Sequence, residues 1–148
     1  MTVTNSKLDK AVEASLEAAG QRYTRARRAV VGTLAGADGP LSAGELHARM
    51  SGSVPLSSVY RTVGVLEEVG ILVPHFGVKG LTRYELAEWI SGHHHHLVCV
   101  ECGNVDDVGI PADLEATIRE VVGAIAARAS FDPVGHVLEI EGRCSRCS

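Results

Sequence analysis

Cys99-Val100-Glu101-Cys102 and Cys144-Ser145-Arg146-Cys147 form two CxxC knuckles about forty residues apart. Each knuckle lets two thiolates face one ion, and four thiolates make a closed tetrahedral zinc site. A closed site has no open position for substrate, so it stabilises a fold and does not catalyse. One such motif alone is compatible with a redox pair; two, each near a predicted strand end, fit structural zinc better.

Next to the first knuckle stands His93-His94-His95-His96, running into Leu97-Val98-Cys99-Val100. An affinity tag would sit at a terminus, whereas this run lies mid-chain ahead of an apolar stretch. Extended chain sends alternate side chains to opposite faces. His94 and His96 therefore point one way, His93 and His95 the other, and one tetrad can serve two metal sites. Glu85, Glu88, Asp106, Asp107, Glu115 and His136 are the nearby groups that can complete them. Mixed imidazole and carboxylate ligands suit Fe(II), Mn(II), Zn(II) or Ni(II) and do not separate them.

These side chains need a scaffold. Residues 112–129 are expected to be a helix with Pro111 near its start and Leu114, Ile118, Val121, Val122 and Ile125 as its buried stripe. Gly135 to Arg143 reads as a strand leading to the second knuckle. Two or three strands and one helix make a unit too small to be comfortable alone, so pairing with a second copy is expected.

The front half is helical and then extended. A helix over about Ser6–Ala19 places Leu8, Val12, Leu16 and Ala19 on one stripe, closed by Gly20. Thr24 caps a second helix reaching Leu34, and Ser42 with Glu45 is a capping box for a third that turns Leu46 and Met50 inward. A fourth starts at Ser57, with Val59, Val63 and Leu66 inside and Ser58, Tyr60, Arg61 and Thr62 facing solvent. Ile71–Phe76 and Leu81–Leu86, joined by Gly77-Val78-Lys79-Gly80, form a hairpin. Two short helices before a helix with polar and aromatic residues at its first turn is the pattern of a helix-turn-helix reader. Arg61 can bond a guanine edge or a phosphate, and Tyr60 can meet a thymine methyl or a phosphate.

Charge divides along the same line. Residues 1–84 hold ten Lys/Arg against seven Asp/Glu, a balance of +3, and residues 85–148 hold four against eleven, a balance of −7. The basic half suits a polyanion and the acidic half suits cations. A hydrophobic share of 45% and a charged share of 22% describe a globular chain. No apolar run approaches the roughly 20 residues of a membrane span. The polar start, Met1 to Lys10, lacks the pattern of a secretory signal, so a cytoplasmic protein is expected. Two disulfides in a secreted scaffold are correspondingly disfavoured. A zinc hydrolase would want an open zinc position beside a base. A metal-storage module would have no use for Tyr60 and Arg61 at a helix start.

Ser57-Ser58-Val59-Tyr60-Arg61-Thr62-Val63, the run His93 to Gly103 and the terminal CxxC resemble the ferric uptake regulator family, from about Leu16 to Cys147. The resemblance implies an α+β architecture: a winged-helix DNA-binding domain (1–86) and a small α/β metal-binding dimerisation domain (87–148). It implies a homodimeric, metal-dependent repressor, not an enzyme, acting on a palindromic AT-rich operator in double-stranded DNA. By the same likeness Cys99, Cys102, Cys144 and Cys147 are structural zinc ligands, and Glu85, His94, His96 and Asp107 form the regulatory site. His93, His95, Glu115 and His136 form a second site, and Arg22 is a basic residue reaching the minor groove.

Three departures bear on the metal. Pro40 stands where many iron and peroxide sensors have a histidine, so the regulatory site is expected either to be four-coordinate or to borrow another group such as His75. His95 stands where aspartate is frequent. The regulatory set lacks the cysteine usual in the zinc-sensing branch, while Asp107 resembles the peroxide-sensing branch. Iron is the first expectation, zinc uptake regulation the second and peroxide sensing the third. Trp89, beside the hinge, is expected in the core or at an interface, the core being the first expectation.

Overall fold

The computed structural model describes Thr2–Ser148, save the side chains of residues 2–5 and of Val78. It divides into two compact units, Met1–His93 and His94–Ser148.

In the first unit α1 (Thr2–Ala18) precedes α2 (Arg25–Ala35), β1 (Leu41–Ser42), α3 (Ala43–Arg49) and α4 (Leu56–Glu68). Thr24 caps α2 by accepting from the Arg27 N–H at 3.3 Å. Ser42 and Glu45 form the expected box on α3: the Glu45 N–H donates to Ser42 Oγ at 3.1 Å, and the Ser42 N–H to Glu45 Oε2 at 2.7 Å. These caps satisfy first-turn donors that would otherwise lack partners. α4 begins one residue before the expected Ser57, with Pro55 as its uncapped boundary. Its fixed φ, −59° here, suits a helix start.

β2 (Leu72–Phe76) and β3 (Thr82–Leu86) are the expected hairpin, antiparallel with Leu72 opposite Leu86 and Phe76 opposite Thr82. A short 3₁₀ turn, Val78–Gly80, joins them, with Lys79 at φ 70°. β1 extends the sheet on the far side of β3, giving the order β1-β3-β2. One core unites this unit: Val12 and Leu16 of α1, Val30 and Val31 of α2, Leu46 of α3, Val59 and Leu66 of α4, and Ile71 before β2, all fully buried. The short α5 (Glu88–Ser91) closes the unit, its lead residue Ala87 donating to the Ile71 carbonyl at 2.8 Å. That bond carries the first unit beyond Leu86, where the sequence places the border.

In the second unit β4 (His95–Cys99) is the central strand, antiparallel to β5 (Val105–Val108) and parallel to β6 (Glu139–Gly142). α6 (Ala112–Arg128) follows Pro111, with Asp113 and Glu115 in its first turn and Arg128 in its last, all favourable to the helix dipole. The expected buried stripe of α6 is corrected. Leu114, Val121 and Ile125 are 52%, 52% and 64% exposed, and the residues that α6 buries are Glu115 and Ala126. Among the described residues of this unit nothing covers that stripe, so its periodicity reports an apolar face without reporting what lies over it.

Two further expectations are corrected in the first unit. Trp89 is 57% exposed, its indole N–H donating to the Gly70 carbonyl at 3.0 Å. Thr62 is buried, because three residues separate it from Val59 and bring it onto the inner stripe with Val63 and Leu66. No helix among the described residues is long and apolar enough to cross a membrane.

Candidate metal centres

The four cysteines converge at one end of the second sheet. Cys99 ends β4, and a tight turn through Cys102 is held by the Gly103 N–H bonding the Cys99 carbonyl at 2.9 Å, with Gly103 at φ 75°. The Val100 N–H bonds the Gly142 carbonyl at 2.9 Å, which brings the residues after β6 alongside. The second knuckle closes through the Cys147 N–H on the Cys144 carbonyl at 2.9 Å, and the Cys144 N–H donates to Cys99 Sγ at 3.4 Å.

All four Sγ atoms lie within 4.8 Å of one another, with Cys102 and Cys144 at 3.9 Å. A zinc–sulfur bond of about 2.3 Å gives a tetrahedron edge of about 3.8 Å, so the donor set fits that ion. The electrostatics agree. N–H donors from Cys102 and Cys144 hold the Cys99 thiol down at about 6. Burial pushes Cys144 up, but the Arg146 N–H and its other partners outweigh it and the net direction is down. Cys147 is pushed up to about 12, first by its hydrogen bond to Cys144 and then by burial. Negative sulfurs this close share a proton unless a cation joins them.

The histidine run divides as strand geometry requires. On one face of β4, His96 Nε2 lies 3.4 Å from Asp107 Oδ1, and His94 Nε2 lies 3.6 Å from the same oxygen. The two rings meet edge to face at 4.9 Å. Register explains the meeting, since Asp107 is directly opposite His96 on β5. On the other face, His95 is 2% exposed and its Nε2 lies 2.7 Å from Glu115 Oε2. His136 Nε2 lies 2.9 Å from Glu115 Oε1 and its ring stacks on His95 at 5.4 Å. Each cluster sets two imidazoles against one carboxylate, a donor set suited to divalent transition metals.

Glu85 and His93 belong to the first unit. Glu85 is half-buried on β3, and His93, the last residue of that unit, pairs its Nδ1 with Glu88. Sequence reasoning counted Glu88 among nearby carboxylates without seeing this pair. Asp106, the neighbour of Asp107, is exposed on β5 and takes no part in the β4 clusters. Of the residues expected to meet DNA, Arg22, Tyr60 and Arg61 are exposed, Ser58 is half-buried, and Thr62 faces the core.

Known proteins resemble this chain in sequence and in fold. The model of the Ferric uptake regulator family matches residues 18–140. The ferric uptake regulation protein of Legionella pneumophila is 36% identical over 94 residues, 64% of this chain and 64% of that protein. The chain thus matches a little under two thirds of that relative's length. The zinc uptake regulation protein of Mycobacterium tuberculosis strain H37Rv is 36% identical over 136 residues, 89% of this chain and 98% of that protein. The solved Helicobacter pylori ferric uptake regulator shares the fold, with a TM-score of 0.75 over 97% of this chain and 93% of that one at 24% identity. On the match spanning residues 18–140, this chain belongs to the ferric uptake regulator family.

Proposed function

We propose that this chain is a metal-dependent, DNA-binding transcriptional repressor, acting as a cytoplasmic homodimer on palindromic AT-rich operators, with Fe(II) as the first regulatory ion. The observation that carries this reading is the division of imidazoles by β4, which sets His94 and His96 by Asp107 and His95 and His136 by Glu115. Two such sets beside a four-thiol cluster serve ion sensing better than turnover, and no catalytic residue is assigned. In this reading Cys99, Cys102, Cys144 and Cys147 hold structural zinc.

Glu85 joins His94, His96 and Asp107 as the regulatory set, and His93 joins His95, Glu115 and His136 as the second; both additions rest on the sequence likeness. A divalent cation would supply the positive charge around which carboxylates and neutral imidazoles converge. In this reading the first unit is the DNA-binding domain and the second the dimerisation domain. Glu85 comes from the first and its three partners from the second, so engagement of all four restricts how the two domains are oriented. Without it the carboxylates repel, and few dimers match the operator spacing. Moving the DNA-competent fraction from about 1% to about 99% needs about 5.5 kcal/mol of differential binding.

Tyr60 and Arg61, exposed on the second turn of α4, are the base and phosphate contacts, with Ser58 beside them and Arg22 on the flanking groove. Thr62 supports α4 from the core side. Pairing is supported by Leu97, Leu114, Val121, Ile125 and Ile140, apolar side chains exposed on the second unit. A ligand set of two imidazoles and two carboxylates suits Fe(II), Mn(II), Zn(II) and Ni(II) alike, and iron comes first because the set lacks the cysteine usual in the zinc-sensing branch. Zinc is the second reading, favoured by the likeness to a zinc uptake regulation protein over 98% of its length.

A gel-shift titration of demetallated protein on a palindromic AT-rich duplex, with Fe(II), Mn(II), Zn(II) and Ni(II) in turn, tests both. Fe(II) promoting the shift at the lowest concentration supports the first reading, and Zn(II) doing so supports the second. A duplex affinity indifferent to every metal and to salt contradicts the proposed function.

A further inference from the structure

The segment from Arg22 to Arg28 carries four arginines, and three of them, Arg25, Arg27 and Arg28, open α2. Cations at a helix amino terminus oppose its dipole, and no acidic residue occupies that first turn. Of these four arginines, Arg28 alone pairs with a carboxylate among the described residues: its Nη1 lies 3.1 Å from Asp9 Oδ2. Arg22 and Arg25 are exposed, and Arg27 Nη1 donates to the Arg22 carbonyl at 2.5 Å.

Asp9 makes a second contact. Its Oδ1 accepts from the Tyr23 hydroxyl at 2.8 Å, and the Arg28 guanidinium carbon lies 4.1 Å from the centre of the Tyr23 ring. Burial, then the bond to Asp9, raises the Tyr23 hydroxyl above its ordinary value and keeps it a donor. Asp9 is placed by α1, whose Val12 and Leu16 are fully buried in the core. Asp9 lies ahead of residues 18–140, so the acidic arm of the clamp comes from outside the region matched by the family model, while Tyr23 and Arg28 lie within it.

We propose that Asp9 and Tyr23 are specificity-determining positioning residues for duplex binding: Asp9 withholds Arg28 from phosphate, and Tyr23, tethered to Asp9 beneath Arg28, seats the adjacent Arg22. Sequence-independent affinity grows with the number of free cations. Discrimination depends on how contacts are seated. The clamp removes one cation from the first quantity and fixes one for the second. This rests on the reading of the first unit as a DNA binder.

The test uses the Mn(II)-loaded full chain on two probes: a random-sequence duplex and a palindrome recovered by selection with the wild-type protein. Asp9→Asn is expected to tighten binding to the random duplex and steepen the log–log salt slope by about 1. Arg28→Gln alone is expected to leave that slope near wild type, and added to Asp9→Asn to cancel its gain, a pattern that a shared folding defect does not produce. Tyr23→Phe is expected to weaken binding to the selected palindrome about tenfold with an unchanged salt slope. Thermal melts report whether each variant stays folded. An Asp9→Asn slope equal to wild type, or a Tyr23→Phe chain that loses both duplexes equally, overturns the inference. If wild type shows no salt-dependent binding to either duplex, the proposed function fails and takes the inference with it.

Discussion

The two units bury different things. The first closes around apolar side chains from α1 to β3, and Val12, Leu16, Val30, Leu46, Val59, Leu66 and Ile71 are all fully buried. The second hides little beyond Val98, Cys99, Val105 and Ala126, together with His95, His96 and Glu115, while Val134, Val137 and Ile125 stand in the open. Burial of an apolar side chain contributes about 1.5–3 kcal/mol, so the first unit holds itself together by the hydrophobic effect. The second invests its interior in groups that burial penalises unless they are paired. On the proposed function, ligation at the thiols and a partner surface over α6 supply the rest of its order. One unit is a finished fold, and the other is a fold conditional on what it binds.

Removing zinc should break this contrast open most. Structural zinc in small domains carries about 10–16 kcal/mol of apparent binding free energy. A Cys102→Ser chain, or chelation of the wild type, is therefore expected to lose amide-exchange protection throughout β4, β5 and β6 while α2 to α4 keep theirs. Equal loss in both units would erase the distinction.

Acid should act in the same place. Zinc competes with protons for the thiols. Above about 6 Cys99 is already thiolate and Cys147 still a thiol. As the pH falls through about 6, one more proton opposes the metal, and chelator competition should show zinc affinity dropping more steeply there. The first unit, followed by its own melting transition, should be unchanged over that range.

The α6 surface comes next. Ile125→Glu places a charge on a side chain 64% exposed in the single chain, so folding should tolerate it. Sedimentation should nonetheless show the dimer dissociating by at least tenfold, as expected when a charge enters an apolar interface core. The smallest effect belongs to the first unit: Ser42→Ala removes one half of the α3 capping box and should cost about 1 kcal/mol in a thermal melt.

Local chemistry made much of this molecule legible in advance. Caps at Thr24 and Ser42, the wing hairpin and the division of histidines across a strand all follow from rules acting within a few residues, and the structure has them. The two CxxC turns depend on spacing alone, and they converge. What the sequence hid depends on partners distant in the chain. Leu114, Val121 and Ile125 have the period of a buried stripe, yet period cannot tell a core from a surface awaiting a second copy. Thr62 looked outward by its polarity and points inward by its helical phase. Trp89 looked like core by its size, and its one polar atom found a carbonyl near the surface. β1, two residues long, has no periodicity to detect. Asp9 meets Tyr23 and Arg28 only through the packing of α1 against α2, which no local rule reports.

The central claim is that imidazoles and carboxylates of the second unit govern DNA reading by the first. It is tested most directly by fluorescence anisotropy of a labelled operator duplex with the His96→Ala chain, titrated with Fe(II) beside wild type, with the dimer checked by sedimentation. The account predicts an intact dimer whose duplex affinity no longer rises with metal, while wild type gains at least a hundredfold, within the gain that about 5.5 kcal/mol of coupling allows. An intact His96→Ala dimer that retains the full metal-dependent gain would contradict it.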